Sequence, residues 1–165
     1  MEKIIKGKAF VFGANVDTDQ IYPGRYLDLT DPEDIIKHTM EGNDANFVKE
    51  FSAGDIVVAS TNFGCGSSRE HAAIALKALG VGAVVAESFA RIFYRNGINL
   101  GLPLLVCPGV KGRITKGDVL EIDLERSALK NIAKGEEYSL EAVSDYAMHI
   151  LENGGIKEIL KKQAI

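Results

Sequence analysis

The nine residues from Asn62 to Glu70, NFGCGSSRE, gather a thiol, two hydroxyls, a guanidinium and a carboxylate immediately before a helical pattern, HAAIALKALG from His71 to Gly80. Gly64 and Gly66 permit a sharp turn and a close backbone approach to a bound group. Where a helix begins, unpaired N–H groups and the positive end of the dipole favour a carboxylate or phosphate. Arg69 adds a bidentate cationic donor at the same place. A plainer reading stands beside this one. Ser67 and Glu70 have the S-x-x-E spacing of a capping box, in which the serine caps the helix and the glycines shape its approach. A cap uses one hydroxyl, and leaves Ser68, Arg69 and the second glycine unexplained. Cys65 is read either as a thiol activated by the helix end or as a small buried side chain.

Positioning such a loop requires a strand before it and a helix after it, and the chain supplies both. The pattern predicts strand Asp55 to Ser60, helix Arg69 to Leu79, strand Gly82 to Glu87, helix Ser88 to about Asn96 with Ser88 as N-cap, and strand Pro103 to Cys107. Two βαβ units in succession give a parallel sheet with right-handed crossovers. Ala72, Ala75, Leu76 and Leu79 form the apolar face of the first helix. Arg91 and Arg95 lie one turn apart on the second, facing solvent, a subunit interface or acidic groups.

Upstream, Gly7 to Gly13 reads as a strand and NVDTDQIYPGRYL as a turn-rich segment, whose Asp17, Thr18 and Asp19 suit an Asx-type turn. Asp31 as N-cap, Pro32 at the first helical position and Glu33 with Asp34 in the first turn predict a helix to about Met40, followed by a short one near Asn46 to Phe51. His38 and His149 have no partner at ligand spacing and read as surface or packing residues. The polar stretch 28–46 reads as mobile. Downstream, VKGRITKGDVLEIDLE alternates like antiparallel strands, and an amphipathic helix from about Glu141 to Asn153 precedes a last turn or two, KEILKK.

Length and composition suit a single domain over residues 1–165. A net charge of -4 argues against a nucleic-acid partner, whose phosphates call for a basic footprint. No apolar run spans a bilayer and the N-terminal residues lack a signal-type core, so a cytoplasmic location is expected. Two cysteines are too few for an iron–sulfur cluster, which takes three or four thiolates. As a nucleotide module the glycine loop lacks both the third glycine of the dinucleotide fingerprint and a GK[ST] ending.

Three motifs in order, NVDTDQIYPGRYL, GCGSSREHAA and AESFARIFYRNGINLGLPLL from Ala86 to Leu105, resemble the small subunit of 3-isopropylmalate dehydratase, the swivelling domain of the aconitase superfamily. The resemblance covers nearly the whole chain. It implies a three-layer β/β/α domain, with a parallel sheet from βαβ units plus a smaller antiparallel or mixed sheet. It also implies a hydro-lyase of leucine biosynthesis that moves a hydroxyl between adjacent carbons through an alkene. Ser67 is then the catalytic base, acting as an alkoxide, with Ser68, Arg69, Asp19, Thr18 and Arg25 binding substrate. Asp28, Leu29 and Thr30 occupy the segment that selects the substrate's distal group. No arginine stands there for a third carboxylate, and Leu29 suits an isopropyl group. The implied partner is a large subunit carrying a [4Fe-4S] cluster, with no metal on this chain, a small dicarboxylate as substrate, and self-association of the isolated chain left open. Alternatives within the superfamily are homoaconitase and dimethylmalate or citramalate dehydratase; an anion- or nucleotide-binding module and an RNA-binding subunit are the alternatives of another class.

Overall fold

The computed structural model describes residues 3–164. Its strands are β1 (Ile4–Val11), β2 (Ile56–Val58), β3 (Ala83–Ala86), β4 (Leu104–Val106), β5 (Val119–Asp123), β6 (Ala128–Asn131) and β7 (Glu136–Ser139). They form one sheet in the order β4-β3-β2-β1-β5-β6-β7. β1 is shared by two halves of opposite character: Ala9 to Val11 pair parallel with β2, whereas Ile4 to Lys8 pair antiparallel with β5. The expected second sheet is therefore continuous with the first. It also explains why β1 begins at Ile4 rather than at Gly7, because the earlier residues find a partner 115 or more positions away in β5.

Side-chain alternation along the parallel strands separates two faces. Phe10, Val57, Val84 and Leu104 lie in register on one face and pack with Ala72, Ala73, Leu76, Phe93 and Ile98 of the crossover helices. Ala9, Ile56, Val58, Val85 and Leu105 point the other way, where the curled antiparallel half brings Leu120, Ile122 and Leu129 onto them. The layers are thus helices, parallel strands and antiparallel strands. Burial on both faces is why β2 and β3 read as unbroken apolar runs.

The crossovers are α4 (His71–Leu79) and α5 (Arg91–Asn99). α4 presents small residues, Ala72, Ala73 and Ala75, and so packs closely on the sheet. It ends in a Schellman motif: Gly80 takes φ 93°, and Val81 N–H donates to Leu76 O at 3.1 Å. Both helices begin later than the sequence suggests, α4 at His71 instead of Arg69 and α5 at Arg91 instead of Ser88. Ser88 is not a cap, since its hydroxyl accepts the Asn62 N–H at 2.8 Å and Ala90 occupies the N-cap position.

Before β2 lie α1 (Thr18–Ile21), a 3-10 turn at Gly24–Tyr26, α2 (Pro32–Ile36) and α3 (Phe47–Glu50). Asp31 caps α2 through Glu33 N–H at 3.0 Å, as its sequence signals. The helix stops well short of Met40. That residue turns to φ 61°, donates its N–H to Ile21 O and is fully buried. With Ile35 and Thr39 also buried, the stretch expected to be loosely held is anchored in the core; its surface polarity hid three inward positions. At the C-terminus, Ser144 caps α6 (Asp145–Glu152) through Ala147 N–H, and α7 (Ile156–Gln163) is two full turns. His149 lies exposed on α6. No helix among the described residues is long and apolar enough to cross a membrane.

Candidate active site

The site is assembled where three parallel strands end, the usual place for ligands on a sheet with helical crossovers. Beyond β1 and β2 the two chains stay laced: Asn15 N–H donates to Thr61 O at 2.9 Å, Gly64 N–H to Val16 O at 2.7 Å and Thr18 N–H to Cys65 O at 2.8 Å. Beyond β2 and β3, Phe63 and Phe89 form a further parallel bridge, with Phe63 N–H on Ser88 O and Ala90 N–H on Phe63 O. Residues 12–18, 61–66 and 88–90 therefore extend the sheet as a ribbon of three loops. The positive φ of Asn15 (56°) and Asn62 (60°) fits this path, and their side chains hydrogen-bond to each other at 3.1 Å.

The two glycines of the loop serve different contacts. At Gly64, φ 85°, a methyl group would stand 2.2 Å from Phe93 Cγ, so the backbone lies directly on the ring of α5. At Gly66, φ 101°, it would stand 3.3 Å from Thr18 Oγ1. Ser67 follows, exposed and four residues ahead of α4. It does not cap the helix: the N-cap residue is Glu70, with no side-chain cap bond. Its Oγ instead accepts Arg69 Nε–H at 2.7 Å and lies 3.1 Å from Thr18 Oγ1. One oxygen thus faces a guanidinium and a buried hydroxyl, an arrangement that favours its anion.

The DTD segment divides three tasks. Asp17 caps α1 by accepting Gln20 N–H at 2.8 Å, the local turn the sequence suggests. Thr18, 4% exposed, turns its hydroxyl to Ser67. Asp19 Oδ1 accepts Gly24 N–H at 2.7 Å and so fixes the following turn. Arg69 lies on that turn, because a methyl added to Gly24 would stand 2.6 Å from its Nη1 and 3.3 Å from Asp19 Oδ1. Gly24 escaped the sequence reading, since nothing local announces a residue 45 positions away.

Arg25 goes elsewhere. Its Nη2 donates to Glu41 Oε1 at 3.1 Å and its guanidinium sits 4.8 Å from the centre of the Tyr26 ring. Tyr26 Oη donates to the same Glu41 oxygen at 2.9 Å, His38 Nδ1 hydrogen-bonds to Glu41 Oε2, and the His38 ring stacks on Tyr26 at 3.6 Å. Burial pushes the Glu41 carboxyl up, but the hydrogen bonds from His38, Tyr26 and Arg25 together hold it below the usual range. In the selecting segment, Asp28 and Thr30 are exposed and Leu29 leans on the small cluster of Tyr22, Ile35 and Ala75 beside α4. Ser68 is exposed next to Ser67. The structure thus gathers Ser67, Arg69, Thr18 and Asp19, and ties Arg25 and Leu29 into neighbouring clusters.

The donor set does not suit a metal cluster. Among the described residues no group of three His, Cys, Asp or Glu side chains is placed to hold a metal ion. Cys107 is buried between the sheet halves while Cys65 sits in the loop.

Residues 5–108 match the aconitase C-terminal domain. The 3-isopropylmalate dehydratase small subunit 1 of Methanopyrus kandleri is 53% identical over 99% of this chain and 96% of its own length. The isopropylmalate/citramalate isomerase small subunit of Methanocaldococcus jannaschii is 50% identical over 99% and 97%. A crystal structure of 3-isopropylmalate dehydratase from M. jannaschii superposes with a TM-score of 0.93 at 47% identity, covering 98% of this chain and 95% of that one. Aconitase X of Thermococcus kodakaraensis shares the fold alone, with a TM-score of 0.51 at 18% identity. The chain belongs to the aconitase C-terminal-domain family, among the small subunits of the 3-isopropylmalate dehydratases.

Proposed function

We propose that this chain supplies the base and a carboxylate grip to a two-subunit hydro-lyase that interconverts 2-isopropylmalate and 3-isopropylmalate, a step of leucine biosynthesis. The observation that carries this reading is the Ser67 hydroxyl held between Arg69 Nε and Thr18 Oγ1. Dehydration takes a proton from the carbon beside a carboxylate, places the C–H electrons in a new C=C bond and expels the neighbouring hydroxyl. Rehydration returns hydrogen and hydroxyl to the opposite carbons. A free serine hydroxyl is too weak a base for the first step, and two donors on its oxygen lower the cost of the alkoxide. The remaining guanidinium N–H groups of Arg69 and the uncapped first-turn N–H groups of α4 suit a substrate carboxylate. Ser68 adds a hydroxyl beside them, and Asp28 to Thr30 remain the segment to which we assign choice of the distal group.

Departure of the hydroxyl calls for a Lewis acid, which we assign to a [4Fe-4S] cluster in the large subunit. A reducing cytoplasm suits such an enzyme, and the two thiols of this chain are both free. The test is turnover of 2-isopropylmalate, 3-isopropylmalate, homoaconitate, citraconate and dimethylmalate by the chain reconstituted anaerobically with the large subunit of its own genome. Turnover of isopropylmalate that falls at least about 10³-fold in Ser67→Ala is expected. Preference for another diacid would move the substrate assignment, and full activity in Ser67→Ala would remove the base.

A further inference from the structure

The exposed side of α5 sets one apolar side chain between two arginines. Phe93, Gly97 and Ile98 face inward, which leaves Arg91, Ile92 and Arg95 as one patch at i, i+1 and i+4. Ile92 is 47% exposed. Among the described residues neither arginine has a carboxylate within 4.0 Å, although the chain carries a net charge of -4. Beside the patch runs a cleft of about 420 Å³ lined by Glu87, Phe89, Arg91, Tyr94, Val106 and Glu141. Of its two carboxylates, Glu87 is held by Ser60 Oγ–H at 2.8 Å. Glu141 lines the same cleft, and its backbone N–H donates to Val106 O.

A single exposed isoleucine needs no explanation. This one is flanked by two free arginines, adjoins an aromatic cleft and is continuous with the catalytic loop. The continuity is hydrogen-bonded and packed: Phe63, next to Gly64, is bridged to Phe89 just ahead of α5, and Gly64 lies on Phe93 of that helix. The strip therefore borders the loop that carries Ser67. Arginine and aromatic side chains around an apolar centre are also the composition of interface cores.

We propose that the strip formed by Phe89, Arg91, Ile92 and Arg95 is the surface on which the large subunit docks, through an acidic ridge bearing an apolar side chain. The apolar side chain fills the cleft over Phe89 and Val106, and its flanking carboxylates meet Arg91 and Arg95. This inference rests on the two-subunit reading above, and adds where the partner is held and by which chemistry. Because the docking residues and the catalytic loop share one packed unit, docking also sets the orientation of Ser67 toward the partner's substrate.

The experiment is anaerobic titration calorimetry of the full chain against the cluster-loaded large subunit, with Arg91→Glu/Arg95→Glu, Arg91→Gln, Ile92→Ser and, on the β5–β6 turn, Arg126→Glu. All four variants alter exposed side chains, and a circular-dichroism melt checks that each keeps the wild-type Tm. The expected result is a Kd about 100-fold weaker in the double reversal and about 10-fold weaker in Ile92→Ser, with Arg126→Glu within about twofold of wild type. The wild-type Kd should also weaken with salt. Unchanged affinity in the double reversal would overturn the inference. So would a changed oligomeric state of the isolated chain in sedimentation with unchanged affinity for the large subunit, which would make the patch a contact between copies. If the wild-type chain binds no large subunit at all, the two-subunit reading itself fails.

Discussion

The base role proposed for Ser67 rests on two side chains, one near in the chain and one far. Arg69 is two residues along the chain, and Thr18 is 49 residues away, delivered by the ladder between the loops after β1 and β2. Thr18→Val keeps the buried shape and deletes the hydroxyl. In the reconstituted enzyme it should lower kcat about 10²-fold with little change in KM, because a donor to the alkoxide acts in the transition state rather than in binding. Thr18→Ser should retain most of the activity; a KM effect alone would make Thr18 a substrate contact instead. Gly24→Ala probes the wall behind Arg69. The atom it meets is the end of a flexible side chain, so Arg69 moves and the fold survives. Activity should fall about tenfold while stability to urea changes by less than about 1 kcal/mol, as expected for misplacing a catalytic contact without opening the core.

At the level of elements, the parallel half was legible because strands buried on both faces and helices of 3.6 period write themselves into the pattern. What escaped were features decided by partners far along the chain. Ser67 and Ser88 both carry capping signatures, yet their oxygens go to Arg69 with Thr18 and to Asn62, and the helices start later, at His71 and Arg91. Ser67 takes a guanidinium N–H two residues on and Ser88 a backbone N–H 26 residues away, each in place of a first-turn N–H of the helix. Glu41 falls in the polar stretch 28–46, where nothing in the sequence marks it, although it gathers Arg25, Tyr26 and His38. Within the site, Ser67, Arg69 and Thr18 were readable, whereas the roles of Asp19 and Gly24 as the support of Arg69 needed the fold. The packing of the glycine loop on α5 gives a quantitative check. Gly64→Ala combines a left-handed φ with a methyl 2.2 Å from Phe93 Cγ. It should destabilise the chain by roughly 2–4 kcal/mol in urea unfolding, from backbone strain plus overpacking. Adding Phe93→Leu should recover part of that loss, giving a coupling above about 0.5 kcal/mol; strictly additive costs would mean that the loop and α5 are not in contact.

For the molecule as a whole, the decisive feature is that β1 belongs to both halves of the sheet. Five of its residues are held by β5 and three by β2, so the antiparallel layer cannot lift away without breaking the strand that also carries the loop to Thr18. Cys107 reports on this. It is fully buried between the layers, with its thiol 3.7 Å from Ser139 O, and burial pushes its pKa up to about 11. The native state therefore holds the thiol proton more tightly than the unfolded chain does. The stability linked to this group is complete below the ordinary thiol range and is lost as pH rises toward about 11. Near pH 8, alkylation of Cys107 must wait for opening, whereas half-buried Cys65 reacts in the folded state. In a Cys65→Ser background, the logarithm of the alkylation rate should rise with urea at the slope of global unfolding, because the shared strand makes separation of the layers cooperative. A shallower slope would show the antiparallel half peeling away by itself, and a rate in native buffer equal to that of Cys65 would mean that the layers are not closed.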